Sequence, residues 1–310
     1  MSQIKDSILG FIVGDAFGVP YEGYQRKNLN KEKIGEMVGY KTHREPAGSW
    51  SDDSSMTLAT MDSIINHNGF DCEDIMRNFC CWYSNGEYTA SGKLFDIGKI
   101  TRTAILNYRS DENIKKCGQG KITDNGNGSL SRMLPVAIYC YYKSLDDGET
   151  FDIVSRVSSI THSHKIAILG CFIYVKYMMY IFSGMSIKQA YEATMKYRHY
   201  IEFAGIRSKK YFSKLFSGKI DKLSADDIST SGFIMDTLEA VFWLALRSNS
   251  YEESIINAVK LGRDAATTAA LVGSITGFVY GGIPNRWLDK IKRKDYIIEM
   301  IDNFEEVVKQ

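Results

Sequence analysis

The chain has 310 residues, enough to bury a core without disulfide or metal staples and, at roughly 100–200 residues per domain, the size of one large domain or two modest ones. Lys+Arg is 38 against Asp+Glu 37, a net charge of +1 that speaks against the one-sided basic excess of a nucleic-acid protein. Apolar residues at 44% and charged ones at 24% exclude wholesale disorder.

The opening MSQIKDSILG has no basic, apolar, small-residue progression, so no secretory leader is expected. The first apolar stretch, Gly10 to Gly23, reads as a helix interrupted by Asp15, broken near Pro20 and followed by Glu22. A carboxylate inside such a stretch is costly unless it is hydrogen-bonded or paired. A polar loop is expected over Arg26–Lys41. The segment GSWSDDSSMTLA, Gly48 to Ala59, then opens a second helix, with Met56, Leu58, Met61, Ile64 and Ile65 at helical spacing. Ser51 suits an N-cap, and Asp52 and Asp53 suit the positive end of the helix dipole. The same three residues also suit a hard cation, which takes carboxylate and hydroxyl oxygens. The spacing leaves both readings open.

A second loop is expected over Lys115–Gly128. It runs into GNGSLSRMLP, whose Gly-Asn-Gly-Ser turn before an apolar helix suits an anion, or is an ordinary turn capped by Ser129. It is neither a P-loop nor a dinucleotide fingerprint. Helical spacing recurs over Ile153–Ile160, Ile166–Phe182, Ile187–Tyr197, Leu238–Ala245 and Tyr251–Leu261. In THSHK, His162 and His164 stand two apart, which fits a loop or strand, and no further His or Cys supports zinc. The last pattern, LGRDAATTAALVGSITGFVYGGIP, is crowded with small residues that let helices pack closely, and Asp264 and Thr267 share a helix face.

Lys176 interrupts the longest apolar run and Ala269–Ile283 is short, so no membrane span is expected. The basic runs Arg207–Lys210 and Lys290–Lys294 read as solvated faces. The cysteines Cys72, Cys80, Cys81, Cys117, Cys140 and Cys171 contain no CxxC pair, which favours free thiols and a cytoplasmic location. With four prolines, no linker, no repeat and no alternating strand pattern, the expectation is one all-α domain over residues 1–310.

In order, GDAFGVPYE, PAGSWSDDSSM, FDIGKIT, GNGSLSRMLP, THSH, SGFIMDTLEAVFW and LGRDAATTAALVGSITGFVYGGIP resemble the successive blocks of the ADP-ribosylglycohydrolase family, the relatives of dinitrogenase reductase-activating glycohydrolase. The resemblance spans about Gly10 to Trp287 and implies a compact orthogonal helical bundle with a binuclear centre of Mg²⁺, sometimes Mn²⁺. By that resemblance Ser51, Asp52, Asp53, Asp264 and Thr267 are metal ligands. Glu22, Asp52 and Asp53 are the carboxylates of catalysis, without assignment of the base. Asp15, Asp96, Gly126, Asn127, Gly128, Ser129, His162 and Phe233 surround the substrate. The implied reaction is hydrolytic release of ADP-ribose from a modified protein, with arginine as the expected linkage and a serine-linked or small-molecule conjugate as the alternative. A monomer from an AT-rich, bacterial source is expected.

One position departs from the family pattern Asp-x-Asp-Thr: Ala266 stands where the second aspartate belongs. Alanine offers no ligand oxygen, so one of the two metal sites is expected to be weakened and turnover impaired. The intact surroundings favour a substitution introduced by engineering over long drift, and the alternative is a natural module that binds ADP-ribose without turnover.

Overall fold

Helix α1, Gln3–Gly18, starts where Ser2 accepts a hydrogen bond from the Lys5 N–H at 3.1 Å. Local signals of this kind set most of the helix starts. Ser51 caps α2, Asp52–His67, and Asp71 caps α3, Cys72–Asn85. After α4, Lys99–Asp111, and α5, Leu134–Tyr142, a capping box of Asp146 and Glu149 opens α6, Asp147–Ser159. His164 caps α7, Lys165–Phe182, and a box of Ser186 and Gln189 opens α8, Ile187–Thr194. The remaining long helices are α9, Ile234–Arg247, α10, Tyr251–Leu261, α11, Ala265–Tyr280, and α12, Lys294–Lys309. The computed structural model describes residues 2–310, and among them there is no strand, only the isolated bridges Gln119–His162 and Gly126–Phe233. The all-α expectation therefore holds.

The expected helix over Ile187–Tyr197 is shorter than its pattern, because the chain tightens into 3₁₀ turns from Met195. The expected loop over Arg26–Lys41 contains one helical turn, Arg26–Leu29. Helix α7 is long and apolar enough to cross a membrane by length and composition, but every residue from Ile166 to Phe182 except Tyr180 is buried inside the protein. All six cysteines are free thiols.

The fold is centred on α1 and α11. Gly10 meets Gly273, Gly14 meets Ala269 and Gly18 meets Ala265 and Ala266, a register that makes the two helices antiparallel. A Cβ at Gly14 would lie 2.3 Å from the Ala269 carbonyl oxygen, so the backbones come closer than any larger residue allows. This contact brings the end of α1 to the start of α11. The small-residue pattern is thus both a packing device and the reason that Glu22 and Asp264 meet.

Candidate functional site

Asp15, on the inner face of α1, is fully buried and accepts hydrogen bonds from the Ser51 N–H, the Ser54 N–H and the Ser54 hydroxyl, the last at 2.5 Å. It ties the first turn of α2 to α1. Burial is the main reason its carboxyl rises from the ordinary 3.8 to about 6, opposed by these hydrogen bonds. The Ser51 hydroxyl accepts from the Asp53 N–H at 3.2 Å. With its first turn held on both sides, α2 carries Asp52 and Asp53 at its N-terminal end.

These two aspartates line a cavity of about 980 Å³ together with Glu22, Asp96, Asp264 and Thr267. Glu22 accepts from the Ala266 N–H at 3.2 Å. Asp52 accepts from the Gly98 N–H at 3.2 Å. Asp264 holds the N-cap position of α11 but makes no side-chain cap bond. Its carboxylate instead accepts from Asn127 Nδ2, which also donates to Thr237 Oγ1 at 2.8 Å. Asp96 is half-buried, with His43 Nε2 4.0 Å away.

The electrostatics are lopsided. Burial, then Asp264, holds Glu22 well above the usual carboxylate range. Burial, then repulsion from Asp96, pushes Asp52 up to about 8. Asp53 is raised well above its ordinary value by burial and by Asp52, and Asp264 is raised chiefly by burial. The Thr267 hydroxyl acts the other way on both Asp53 and Asp264. Crowded carboxylates of this kind hold protons unless a cation joins them. Among the described residues no three His, Cys, Asp or Glu side chains converge as a ready ligand group. The donors that do share the cavity are oxygens, and their charge is uncompensated. In donor type and charge they fit a hard divalent cation, with Asp52, Asp53, Asp264 and Thr267 as the residues to hold it. Ala266 adds no oxygen to them.

The glycine loop forms another part of the wall, joined to the carboxylates through Asn127 and Asp264. Gly126, Asn127, Gly128 and His162 line the same cavity. The loop is fixed to the turn before α9 by Asn127 N–H to Gly232 O at 3.0 Å and Ile234 N–H to Asn125 O at 3.0 Å. The His162 ring packs against it, since a Cβ at Gly128 would lie 3.2 Å from His162 Cε1. Phe233 lines a smaller adjoining hollow of about 440 Å³ with Tyr211, Ile100 and Ile166, its ring edge-on to Tyr211 at 5.4 Å.

Besides Phe233 in the adjoining hollow, three residues expected around the ligands lie outside the cavity. Asp15 is beneath it, all its oxygens turned to α2. Ser51 is spent on the cap. Ser129 caps no helix; it is fully buried, and its Oγ accepts from the Ser158 hydroxyl at 3.0 Å. Their contribution is to hold the residues that do line the cavity. Sequence reasoning also missed Thr101, Lys99, Lys121 and Arg263 at the cavity wall, and it missed Arg132, which lies buried beneath the glycine loop. Lys99 and Thr101 are inside the quoted FDIGKIT block and Arg132 is inside GNGSLSRMLP, so the blocks had marked their neighbourhoods.

The ADP-ribosylglycohydrolase family model matches residues 1–310. The chain is 29% identical over 299 residues to "ADP-ribosylarginine hydrolase Tri1" of Pseudomonas putida (strain GB-1), covering 96% of this chain and 76% of that one. It is 26% identical over 297 residues to "ADP-ribosyl-[dinitrogen reductase] glycohydrolase" of Rhodospirillum rubrum, covering 93% and 90%. A solved structure titled "ADP-ribosylglycohydrolase-related protein complex" superposes with a TM-score of 0.82 at 25% identity, over 99% of this chain and 98% of the other.

Proposed function

As the chain belongs to the ADP-ribosylglycohydrolase family, hydrolases that remove ADP-ribose, we propose that its substrate is a protein ADP-ribosylated on arginine and that Mg²⁺ is its cofactor. The observation that carries this reading is one cavity with two unlike parts. Crowded carboxylates, Glu22, Asp52, Asp53 and Asp264, adjoin a glycine loop with a buried histidine. The relative from P. putida, named an ADP-ribosylarginine hydrolase, supports arginine as the linkage.

In this reading the diphosphate lies against Gly126, Asn127, Gly128 and His162, and the adenine lies toward Phe233. The ribose at the far end then reaches the carboxylates. Bound Mg²⁺ supplies charge neutralisation and polarisation of ribose hydroxyls and water. Glu22, Asp52 and Asp53 orient that water and take its proton, while the surrounding negative oxygens favour the oxocarbenium-like state of the anomeric carbon. These carboxylates are raised without a cation; compensation of their charge by a bound cation would free them to accept the water's proton. Asn127 holds Asp264 in place from the glycine loop.

Ala266 favours a second reading beside the first. It withholds one carboxylate from the start of α11, which weakens cation binding there and slows hydrolysis more than it weakens ADP-ribose binding. The deciding experiment incubates the chain and its Ala266→Asp variant with Mg²⁺ and an arginine-ADP-ribosylated protein and quantifies released ADP-ribose. Release by both supports hydrolysis as the native activity. Release by the variant alone supports a binding form disabled at Ala266. Release by neither, where ADP-ribose still binds, overturns hydrolysis of an arginine linkage and leaves another linkage or a module that only binds.

A further inference from the structure

Beneath the glycine loop lies a buried charge that the proposed reaction does not use. Arg132 is fully buried and has no carboxylate partner. Burial lowers it from 12.5 to about 10, a sign of how unfavourable the placement is. Its guanidinium donates from Nη1 to the Gly128 carbonyl at 2.8 Å, and from Nη2 to the Val157 carbonyl at 3.0 Å and to Thr161 Oγ1 at 2.8 Å. Nε has no partner, and the Phe79 ring lies 5.2 Å from the guanidinium carbon.

The contact to Thr161 has a consequence for the next residue. Thr161 Oγ1 lies 2.7 Å from His162 Nδ1. A guanidinium N–H only donates, so the threonine oxygen accepts from Arg132 and keeps its single hydrogen. Thr161 is fully buried, and among the described residues its hydroxyl has no other acceptor than Nδ1. If Nδ1 carried a proton, two hydrogens would face each other and the threonine hydrogen would be stranded, at a buried donor's penalty. The arrangement that satisfies every group leaves Nδ1 bare and puts the ring proton on Nε2. That nitrogen has no hydrogen-bond partner among the described residues, and His162 lines the cavity beside Gly126 and Gly128.

We propose that Arg132 and Thr161 are positioning residues that lock His162 as its Nε2–H tautomer, a neutral donor aimed at a phosphate oxygen of the bound nucleotide. The inference rests on the ADP-ribose reading above for its ligand, but not for its tautomer. The same guanidinium holds the Gly128 carbonyl, so one buried group sets both the loop and the donor that faces it. A locked tautomer matters because a neutral imidazole offers either a donor or an acceptor at Nε2, and a lone pair there would repel phosphate.

The test is nitrogen NMR on the ligand-free chain labelled with ¹⁵N-histidine, which reads which ring nitrogen of His162 carries the proton. A protonated Nε2 and a bare Nδ1 are expected, and a protonated Nδ1 overturns the proposal. Thr161→Val removes the hydroxyl at constant shape. It is expected to release the Nδ1–H form and to weaken ADP-ribose about tenfold, the loss of one hydrogen bond to a charged group. Adenosine, which lacks the diphosphate, is expected to bind the variant within about twofold of the unmodified chain, and Thr161→Ser is expected to restore both readouts. Equal loss of ADP-ribose and adenosine marks a merely structural role and overturns the assignment, as does a folded Thr161→Val protein with unchanged tautomer. Should Thr161→Val fail to fold, the unmodified chain's tautomer still decides. No binding of ADP-ribose by the unmodified chain overturns the ligand reading, while the tautomer measurement continues to judge the relay.

Discussion

Asp52→Asn should stabilise the metal-free chain near neutral pH and destabilise it in Mg²⁺, a reversal that isolates the carboxylate cluster. Burial and repulsion from Asp96 raise Asp52 from 3.8 to about 8. The folded state therefore keeps this proton to higher pH than the unfolded state does. The stability that a protonated Asp52 contributes is fully present below about pH 4 and is lost as pH rises through about 8. Each pH unit in that window is worth about 1.4 kcal/mol, giving an upper bound of about 4 kcal/mol at pH 7. Solvent access to this half-buried group reduces that to about 2 kcal/mol. Asparagine cannot ionise, and its carbonyl oxygen still accepts from the Gly98 N–H, so little is lost in exchange. The assay is urea denaturation in a chelator at about pH 5 and about pH 7.5, repeated with Mg²⁺. In the chelator the variant's advantage should be about 2 kcal/mol at the higher pH and less at the lower. Excess Mg²⁺ should raise the unmodified chain above the variant, because asparagine brings no negative charge to the cation. A variant that is less stable in the chelator at the higher pH, or an advantage independent of pH, would refute the reasoning.

Ala266→Asp adds a carboxylate at the start of α11 and should tighten Mg²⁺ binding by about tenfold or more, measured by calorimetry; unchanged affinity would exclude this position from the ligand set. Asp15→Ala strands the Ser51 and Ser54 N–H groups and the Ser54 hydroxyl in the core. It should cost about 3 kcal/mol in denaturation and weaken Mg²⁺ as well, although Asp15 does not line the cavity. Gly14→Ala drives a methyl to 2.3 Å from the Ala269 carbonyl. A loss of about 3 kcal/mol is expected, and one below about 1 kcal/mol would show that α1 and α11 separate easily.

How far the sequence could be read depended on the range of the interactions involved. Caps at Ser51, Ser186 and Ser250 are local, and the helices they open begin where the pattern placed them, whereas the helix capped by Asp146 begins at Asp147, ahead of the Ile153–Ile160 spacing, because its first turns are polar. The stripe of glycine and alanine on α11 announced a close helix contact but not its partner; the matching glycines of α1 lie at the other end of the chain, Gly10 against Gly273 and Gly18 against Ala265. Asp15 was legible as a buried carboxylate needing partners, yet the partners, Ser51 and Ser54, are supplied only by tertiary packing. Arg132 was invisible as a buried charge, because arginine in a polar block ordinarily faces solvent and only the carbonyls of Gly128 and Val157 and the hydroxyl of Thr161 make its burial tolerable.

At Ser51–Asp53 the sequence left a choice between a helix cap and a cation site, and the structure removes the conflict between the two. The Ser51 hydroxyl takes the Asp53 N–H, and Asp15 takes the Ser51 and Ser54 N–H groups. With the first-turn amides satisfied from below, neither Asp52 nor Asp53 is needed as a cap, and both carboxylates are released into the cavity. Capping is thus the means by which the cluster is assembled. The cost is the burial and mutual repulsion that raise Glu22, Asp52, Asp53 and Asp264. Asp264 follows the same logic at the start of α11, where it occupies the cap position without a side-chain cap bond and is held by Asn127 instead. Ala266, two residues further on, contributes only its N–H, and that N–H is taken by Glu22. Restoring an acid there should therefore also move Glu22, since a second carboxylate beside Asp264 would compete with it for the same few ångströms of the cavity wall.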